Sequence, residues 1–296
     1  MKYAWLEGQR KVYTLDEMWR VLAVSEGGYR AWKQGGTPDR TRLTDAQMLT
    51  WVCAIHEELK GAYGSPRMVR ELRGRGVPAS KERVERLMRE HGIRARHKRR
   101  YKVTTDSTHH LPVAPNRLNR DFTPSAPNQT WTSDITYLWT DEGWLSLAII
   151  LDLFNREVVG WSLQPRMTAD IVTDALTMAW CRRKPAVGLM HHSDRGSQYA
   201  SQPFPHKLRA YAMISSMSRK GNCWDHAPTE SWFNSFQNER VQGIRDDTRA
   251  EITAASFEYM EVFYNRTRRH STLGEQSSRQ FLEYWRLAQH EENRLA

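Results

Sequence analysis

The residues best suited to chemistry are three acids that lie far apart in the chain, Asp134, Asp194 and Glu230. Two divalent cations held about 4 Å apart can activate a water or a DNA 3′-hydroxyl on one side of a phosphodiester and stabilise the leaving oxygen on the other. Mg²⁺ prefers hard oxygen ligands and keeps several of its waters, so three carboxylates are a sufficient protein contribution. The three acids therefore predict a site for two Mg²⁺ ions, with Mn²⁺ as a substitute.

Each acid alone also has an ordinary structural explanation. The first could be an acceptor at a strand end, the second a turn or helix cap, and the third a favourable charge near a helix N-terminus. Asp152 is a further strand acid that could reach a metal. His191 and His192 could bind zinc, but no third soft ligand has helpful spacing, so we expect this pair to support Asp194.

The elements that must position these acids alternate between strands and helices. The pattern predicts a three-strand meander over residues 131–139, 144–153 and 157–163 and further strands over 187–192 and 213–217, with helices near 171–180, between 198 and 211, and from about 228. Asp134 falls inside a hydrophobic strand, where an unpaired carboxylate is costly. Asp194 follows a buried strand, at the edge where sites of open α/β sheets form, and Glu230 lies in the first turn of a helix. The periodicity indicates an α/β fold.

Basic charge is concentrated before this region. The chain has 296 residues and a net charge of +10. Residues 1–126 hold 25 basic and 14 acidic side chains, and the remainder holds 19 and 20, so the excess belongs to the N-terminal part. A basic arm joined to a nearly neutral body favours nucleic acid as the partner, although a basic face kept for solubility is the alternative.

Capping boxes start the N-terminal helices, at Thr14 with Glu17 and at Thr44 with Gln47. Each begins a helical unit of helix-turn-helix type. Ser80 caps a last helix, which we expect to present a basic face to a DNA groove, with a three-helix spacer as the alternative. A basic tail follows and is predicted to bind phosphates without reading sequence. The expected contacts in this helix and tail are Lys81, Arg83, Arg86, Arg89, Arg94, Arg96, Lys98, Arg99, Arg100 and Lys102.

The cysteine content and the hydropathy of the chain indicate the cellular compartment of the protein. Three cysteines without a CxxC pair support neither a disulfide framework nor a cysteine-rich zinc site. The most apolar stretch, residues 144–153, is too short to cross a bilayer, so no membrane partner is expected. We expect a cytoplasmic protein that is not exported.

Six long motifs carry a resemblance to a known family. They are TSDITY at 132–137, LDLFNR at 151–156, VVGW at 158–161, HHSDRGSQY at 191–199, SMSRKGNCWD at 216–225 and FYNRTRRHSTLG at 263–274. The chain closely resembles the catalytic reading frame of transposases from the IS-three family of bacterial insertion sequences, from Met1 to about Trp285. That family shares the retroviral-integrase core.

The resemblance implies an RNase H-like core in which Asp134, Asp194 and Glu230 bind Mg²⁺ and catalyse DNA strand cleavage and strand transfer. It also implies joining of one transposon end to the other through a circular intermediate, a homo-oligomer on DNA, and an upstream-frame DNA-binding protein fused by frameshifting. Further DNA contacts are expected in the core at Arg219, Lys220, Gln237, Arg266 and Arg269.

The chain departs from the family pattern at three places. His226 stands where Asn is usual, Gln237 where Lys or Arg follows the catalytic Glu, and Ser277-Ser278 where Ser-Pro is usual. Gln supplies hydrogen bonds but no charge, so weakened end binding is expected. A catalytically silent DNA-binding accessory or regulatory protein is therefore the rival hypothesis. An RNA-cutting or structure-selective nuclease fits the acids but not the helix-turn-helix units.

The predicted organisation has five parts, namely a helix-turn-helix-like unit (1–40), a second helical DNA-binding unit with a basic tail (41–102), a linker (103–127), an RNase H-like integrase core (128–285) and a C-terminal tail (286–296).

Overall fold

The computed structural model describes residues 2–33, 43–96, 110–220, 222–241 and 248–295. Its first helices are α1 (Lys2–Gln9), α2 (Leu15–Leu22) and α3 (Glu26–Lys33). The predicted capping box is confirmed, because the Thr14 side chain accepts from the Glu17 N–H and the Thr14 N–H donates to the Glu17 carboxylate. Leu6, Met18 and Tyr29 are buried together and form the small core of these three helices.

A second helical unit has its own apolar core. It consists of α4 (Asp45–Glu58), α5 (Ser65–Gly74) and α6 (Lys81–Glu90). Thr44 and Gln47 form the second predicted capping box, and the Ser80 hydroxyl accepts from the Arg83 N–H at the start of α6. Apolar side chains of all three helices pack together, and Phe263 of the later part of the chain packs against the same cluster.

Five strands form one mixed sheet. They are β1 (Thr130–Thr140), β2 (Gly143–Asp152), β3 (Val158–Gln164), β4 (Met190–Ser193) and β5 (Ile214–Met217). The order across the sheet is β3-β2-β1-β4-β5. The first three strands are antiparallel neighbours, which confirms the predicted meander, while β4 runs parallel to both β1 and β5. The predicted α/β class is thereby confirmed.

Helices cover both faces of this sheet. They are α7 (Ala169–Arg183), α8 (Ser197–Ala200), α9 (Pro203–Ala210), α10 (Ala227–Phe236), α11 (Arg249–Phe257) and α12 (Ser278–Leu295). Side chains alternate across a strand, so Trp131 and Ile135 of β1 pack with α7 and α9, while Leu138 packs with Trp232 of α10. Even-numbered β1 residues, Asp134 among them, therefore face the α10 side.

The chain around α10 departs from regular α-helix on both sides. A 3₁₀ turn (Cys223–His226) leads into α10, and a π-helical turn (Gln237–Val241) follows it. The π turn carries Glu239, which is buried and accepts two hydrogen bonds from Arg268 at 2.7 and 2.8 Å and one from the Tyr259 hydroxyl at 2.8 Å. Arg67 of α5 donates to the same carboxylate at 3.0 Å. This Glu239 cluster (Glu239, Arg268, Tyr259 and Arg67) ties the α4–α6 unit to the turn at the end of α10.

Residues 110–127 lie against the core. The backbone N–H groups of Arg117 and Leu118 donate to the Ser216 hydroxyl of β5, and Arg120 forms an ion pair with the buried Asp225. This half of the predicted linker is therefore held in place by the core. Residues 97–109, which include the predicted basic tail after Arg96, are outside the described residues. The division into five parts stays a prediction.

In the described ranges, no helix combines the length and the apolar character that a membrane crossing requires.

Candidate active site

Strand register brings the two aspartates together. β1 and β4 are parallel neighbours, and Thr132 pairs with His192. Asp134 and Asp194 each follow that pair by two residues, so Asp134 is still within β1 and Asp194 is the first residue after β4. Neighbouring strands lie about 4.8 Å apart, and the carboxyl end of β4 is where a site of an open α/β sheet forms. The two carboxylates are therefore neighbours because of backbone hydrogen bonding.

A hydroxyl contact positions the third acid. The Thr132 and Thr229 hydroxyls are 3.3 Å apart, which fastens the first turn of α10 to the face of β1 that carries Asp134. Glu230 follows Thr229 directly and is exposed, while Trp232 and Phe236 on the opposite side of α10 are fully buried. The buried aromatic side chains anchor the helix, so Glu230 points along the surface beside the strand-borne pair.

The electrostatics of the site are dominated by carboxylates of the same charge. Burial raises the pKa of Asp134 well above its ordinary value, and the Asp194 and Glu230 carboxylates raise this pKa further. The Ile135 N–H donates to Asp134 at 2.7 Å and acts in the opposite direction on the same pKa. Burial also raises the pKa of Glu230. Such a cluster favours binding of a cation, because a cation offsets the mutual repulsion of the carboxylates.

The hard-oxygen donor set fits Mg²⁺, but the side chains are not yet arranged around one point. Across the described parts of the chain, no three His, Cys, Asp or Glu side chains are already placed as ligands of a single ion. The Asp194 carboxylate accepts the Gly196 N–H at 2.9 Å, which fixes it in the turn after β4. Ligation by all three acids therefore requires side-chain rotation, which the exposed Glu230 can make by changing rotamer.

Asp152, the other strand acid, has a structural role. Its carboxylate is completely buried and accepts backbone N–H groups of Phe154 at 3.0 Å and Asn128 at 2.9 Å. Burial raises the pKa of Asp152 to about 6, and the two N–H donors oppose that rise. The carboxylate thus holds the turn after β2 and the approach to β1 instead of facing the three acids.

The two histidines before Asp194 are neutral packing groups. Burial lowers the pKa of His191 and of His192 to about 3 in each case. The His192 Nδ1 lies 2.9 Å from the Ser216 hydroxyl, and its ring packs on the His226 ring at 4.9 Å between centroids. This placement is consistent with the expectation that the pair supports the strand end at Asp194.

Two residues near the site were not foreseen from the sequence. Tyr199 of α8 is buried, and burial together with the charges of Asp134 and Asp194 raises the pKa of its hydroxyl, so the phenol lies close to the aspartate pair. Asp225, in the 3₁₀ turn before α10, is 1% exposed and accepts from Arg219, Arg120 and Asn116. These donors lock the turn that leads to Glu230. The only sequence signal for either residue was its place inside a long motif.

The expected DNA contacts fall into three groups. The first group is exposed or half-exposed at the surface: Lys81, Arg89, Arg94, Lys220, Gln237 and Arg266. The second group is engaged within the protein: Arg83 and Arg86 with Asp45, Arg96 against Gly61, Arg219 with Asp225, and Arg269 with Glu71. The third group, Lys98, Arg99, Arg100 and Lys102, lies outside the described residues.

One expectation about α6 is corrected by this placement. Lys81 and Arg89 are exposed, but the Arg83 side chain is only 10% exposed and binds the Asp45 carboxylate at 2.7 Å. The four basic residues of α6 therefore do not form one exposed face. Arg83 instead links the start of α4 to α6, because its side chain reaches inward across the helical unit.

Three family models and several known proteins match this chain. The family model described as integrase core domain matches residues 124–223, and a second model of the same description matches residues 230–284. A model described as HTH-like domain matches residues 43–101. The transposase InsF for insertion sequence IS3A from Escherichia coli (strain K12) is 41% identical over 286 residues, covering 95% of this chain and 98% of that protein. The chain belongs to the IS-three (IS3) family of transposases.

The transposase is also similar to a protein of insertion element IS600 from Shigella sonnei, described as an uncharacterized 31 kDa protein, with 42% identity over 266 residues, 90% of this chain and 97% of that one. Among solved structures, the simian T-cell lymphotropic virus intasome with PP2A regulatory subunit B56 gamma has a TM-score of 0.43 at 16% identity, covering 78% of this chain and 74% of that chain. The catalytic core domain of BIV integrase has a TM-score of 0.41 at 14% identity, covering 55% of this chain and 99% of that chain.

The family assignment confirms the predicted architecture. The transposase has an integrase-type, RNase H-like core preceded by a helical HTH-like region. Asp134 and Asp194 lie inside the first core match, and Glu230 is the first residue of the second. The enzyme class is therefore that of transposases with an integrase-type core.

We predict that Asp225→Asn destabilises the transposase by about 3 kcal/mol at pH 7.5, because a buried carboxylate paired with Arg219 and Arg120 is lost. Hydrogen bonds and charge from Arg219 hold the pKa of Asp225 well below its usual range. A lowered pKa gives stability above the unfolded pKa of about 4 that is lost as pH falls through the folded value, so the difference should shrink below about pH 4. Urea unfolding at several pH values measures it.

Asp121→Asn is the matched control, since Asp121 is exposed in the same region and its carboxylate accepts from the backbone N–H and the hydroxyl of Thr123. Equal stability of the two variants at pH 7.5 would contradict the assigned role of Asp225.

Proposed function

We propose that the transposase cuts DNA at insertion-sequence ends and joins the cut strands to target DNA by direct transesterification, with Asp134, Asp194 and Glu230 as its catalytic triad. The observation that carries this proposal is the placement of Asp134 in β1 and of Asp194 directly after the parallel neighbour β4, next to the helix of Glu230. The charges of Asp194 and Glu230 both act unfavourably on the ionised form of Asp134, and a bound cation would offset that cost.

The three carboxylates would hold two Mg²⁺ ions, and Mn²⁺ is expected to substitute. When bound, the metal supplies activation of the attacking hydroxyl or water and stabilisation of the leaving oxygen. The chain's own residues do the positioning. β1 and β4 fix the aspartates, the Thr132–Thr229 contact fixes α10, and the Asp225 ion pairs fix the turn before it. The two aspartates would therefore be rigid ligands, whereas the Glu230 side chain could adjust its position.

The DNA is expected to lie across α10 and reach the helical unit. Exposed basic residues there include Lys220, Arg266, Lys81 and Arg89, which would neutralise backbone phosphates. We also propose a homo-oligomer on DNA, a circular intermediate, and cooperation with an upstream-frame DNA-binding protein, all of which the family membership suggests. A nucleoid-associated, cytoplasmic location follows from these partners.

A catalytically silent DNA-binding regulator is the second candidate. The observation that favours it is Gln237, which is half-exposed at the start of the π turn after α10, seven residues after Glu230, and carries no charge. The Gln237 N–H still donates to the Phe233 carbonyl, so α-helical spacing is kept and both side chains lie on one side of the helix. Strand transfer by this chain without any partner protein would exclude this candidate.

Asp194→Asn is predicted to lower Mg²⁺-dependent cleavage of labelled insertion-sequence ends by at least about a hundredfold, because a ligand worth several kcal/mol of charge stabilisation is neutralised. Asp174→Asn on α7 is the control, since Asp174 binds Gln164 at the surface and its amide replacement can still accept that bond. Cleavage that is unchanged in Asp194→Asn would remove the proposed mechanism, whereas end binding without cleavage in the wild type would favour the regulator.

Gln237→Lys is predicted to tighten binding of insertion-sequence ends and to steepen its salt dependence by about one unit of log slope, because one added cation displaces about one counterion. Fluorescence anisotropy across a salt series gives the slope. Gln202→Lys serves as the control, because Gln202 is exposed beside α9 on the other face of the sheet. The same slope for wild type and Gln237→Lys would place this position away from the DNA.

A further inference from the structure

A cavity of about 270 Å³ lies on the side of α10, between the helical unit and the core. Its wall contains Arg67 of α5, Arg156 of the turn between β2 and β3, Arg268, and the hydroxyl groups of Ser231, Ser235 and Thr272. At about 30 Å³ for each water, the space equals about nine water molecules, which is ample for one phosphate group. Ser231 directly follows Glu230, so the cavity adjoins the catalytic helix.

The arginine side chains of this cavity carry more positive charge than nearby carboxylates neutralise. Arg67 and Arg268 share the single carboxylate of Glu239. For Arg156, the one hydrogen-bond acceptor that the described residues provide is the Phe122 carbonyl at 2.9 Å. Asp152 acts on Arg156 by its charge, but its carboxylate is already bound by two backbone N–H groups. Within the described residues, no acidic side chain lines the cavity.

Arg156 is held there at an energetic cost. The residue is half-buried, and burial lowers the pKa of its guanidinium. Its φ is +58°, a left-handed conformation that costs a residue other than glycine on the order of 1 kcal/mol. A cation that is partly removed from water without a carboxylate partner is also costly. An anionic ligand in the cavity would offset this cost.

The lining groups match one ligand chemistry. Guanidinium groups bind phosphate oxygens in a planar, bidentate geometry. The Ser235 hydroxyl oxygen accepts from Arg268 at 3.0 Å, so its own O–H can donate into the cavity. We propose that this cavity binds a backbone phosphate of the bound DNA, with Arg156 as its principal cation and Arg67 as the contribution of the helical unit. This proposal rests on the proposed function, because it requires DNA beside α10.

Such a phosphate site would explain how the helical unit and the core can bind the same DNA strand. Arg67 belongs to α5, Arg156 to the sheet and Ser231 to α10, and all three face the same cavity. A phosphate held between them would fix the distance between the HTH-like unit and the helix that carries Glu230. The contact would carry no sequence information but would set the orientation of the DNA at the site.

The experiment compares full-length wild type, Arg156→Gln, Arg156→Lys and Arg209→Gln, with metal removed by a chelator so that cleavage plays no part. Arg209 is exposed on α9, across the sheet, and serves as the matched control. We expect Arg156→Gln to weaken binding of insertion-sequence ends several-fold and to lower the log salt slope by about one, while Arg156→Lys and Arg209→Gln keep the wild-type slope. Arg156→Lys keeps the test valid if the Gln variant fails to fold.

A second arm locates the phosphate with duplexes that carry one uncharged methylphosphonate at successive positions. At one position, the methylphosphonate should weaken DNA binding by the wild type. It should not further weaken DNA binding by Arg156→Gln, because the two changes remove the same contact. Thermal unfolding with inorganic phosphate, against chloride at equal ionic strength, tests a free anion as the ligand. Stabilisation by phosphate that depends on Arg156, together with an unchanged DNA slope, would overturn the proposal in favour of a free-phosphate site.

Equal slopes for Arg156→Gln and Arg209→Gln, with no position at which the phosphate and Arg156 are coupled, would also overturn it. The failure of the proposed function gives a different result, since wild-type protein would then show no specific end binding or no cleavage.

Discussion

The pairing of β1 with β4 is the constraint on which the remaining features of the site depend. It puts Asp134, within β1, beside Asp194, the first residue after β4, because the paired segment ends only two residues before each of them. A half-buried carboxylate beside another is unfavourable unless a cation is present. The Asp134 and Asp194 carboxylates therefore repel each other at this edge of the sheet. The apolar layers on both faces of the sheet stabilise the fold in spite of that repulsion.

The helix that carries Glu230 is held by groups at both ends. At its start, Asp225 is bound by Arg219, Arg120 and Asn116, so the 3₁₀ turn has a fixed shape. At its end, the π turn places Glu239 inward, where the Glu239 cluster joins it to α5. A motion of the helical unit on DNA would therefore act on the far end of α10. Glu230 itself stays exposed between these two anchors, which suits a ligand that completes the site on binding.

The sequence predicted what depends on local pattern. Alternating apolar residues and turn signals were enough for the β1–β3 meander, and Thr14 and Thr44 were enough for two helix starts. The strand position of Asp134 also followed from the residues around it, whereas the RNase H-like core was an implication of the family resemblance. Each of the local predictions rests on periodicity or capping, which act within a few residues of the chain.

What the sequence did not predict depends on partners distant in the chain. Arg83 was expected on an exposed face, but it binds Asp45, 38 residues away. Arg269 was expected at DNA, but its guanidinium binds Glu71, 198 residues away. The partner of a basic side chain has no local signature, and neither does the placement of Tyr199 beside the aspartates or of Arg156 in its cavity. Only tertiary packing decides whether an arginine faces solvent, a carboxylate or a ligand.

The most direct test of the account is Mn²⁺ binding, followed by electron paramagnetic resonance in the absence of DNA, for wild type, Asp134→Asn and Asp174→Asn. If Asp134 and Asp194 form a cation site, Asp134→Asn should weaken Mn²⁺ binding at least about tenfold, while Asp174→Asn binds as the wild type does. Equal Mn²⁺ affinity of all three proteins would contradict the claim that strand register builds a metal site from these acids.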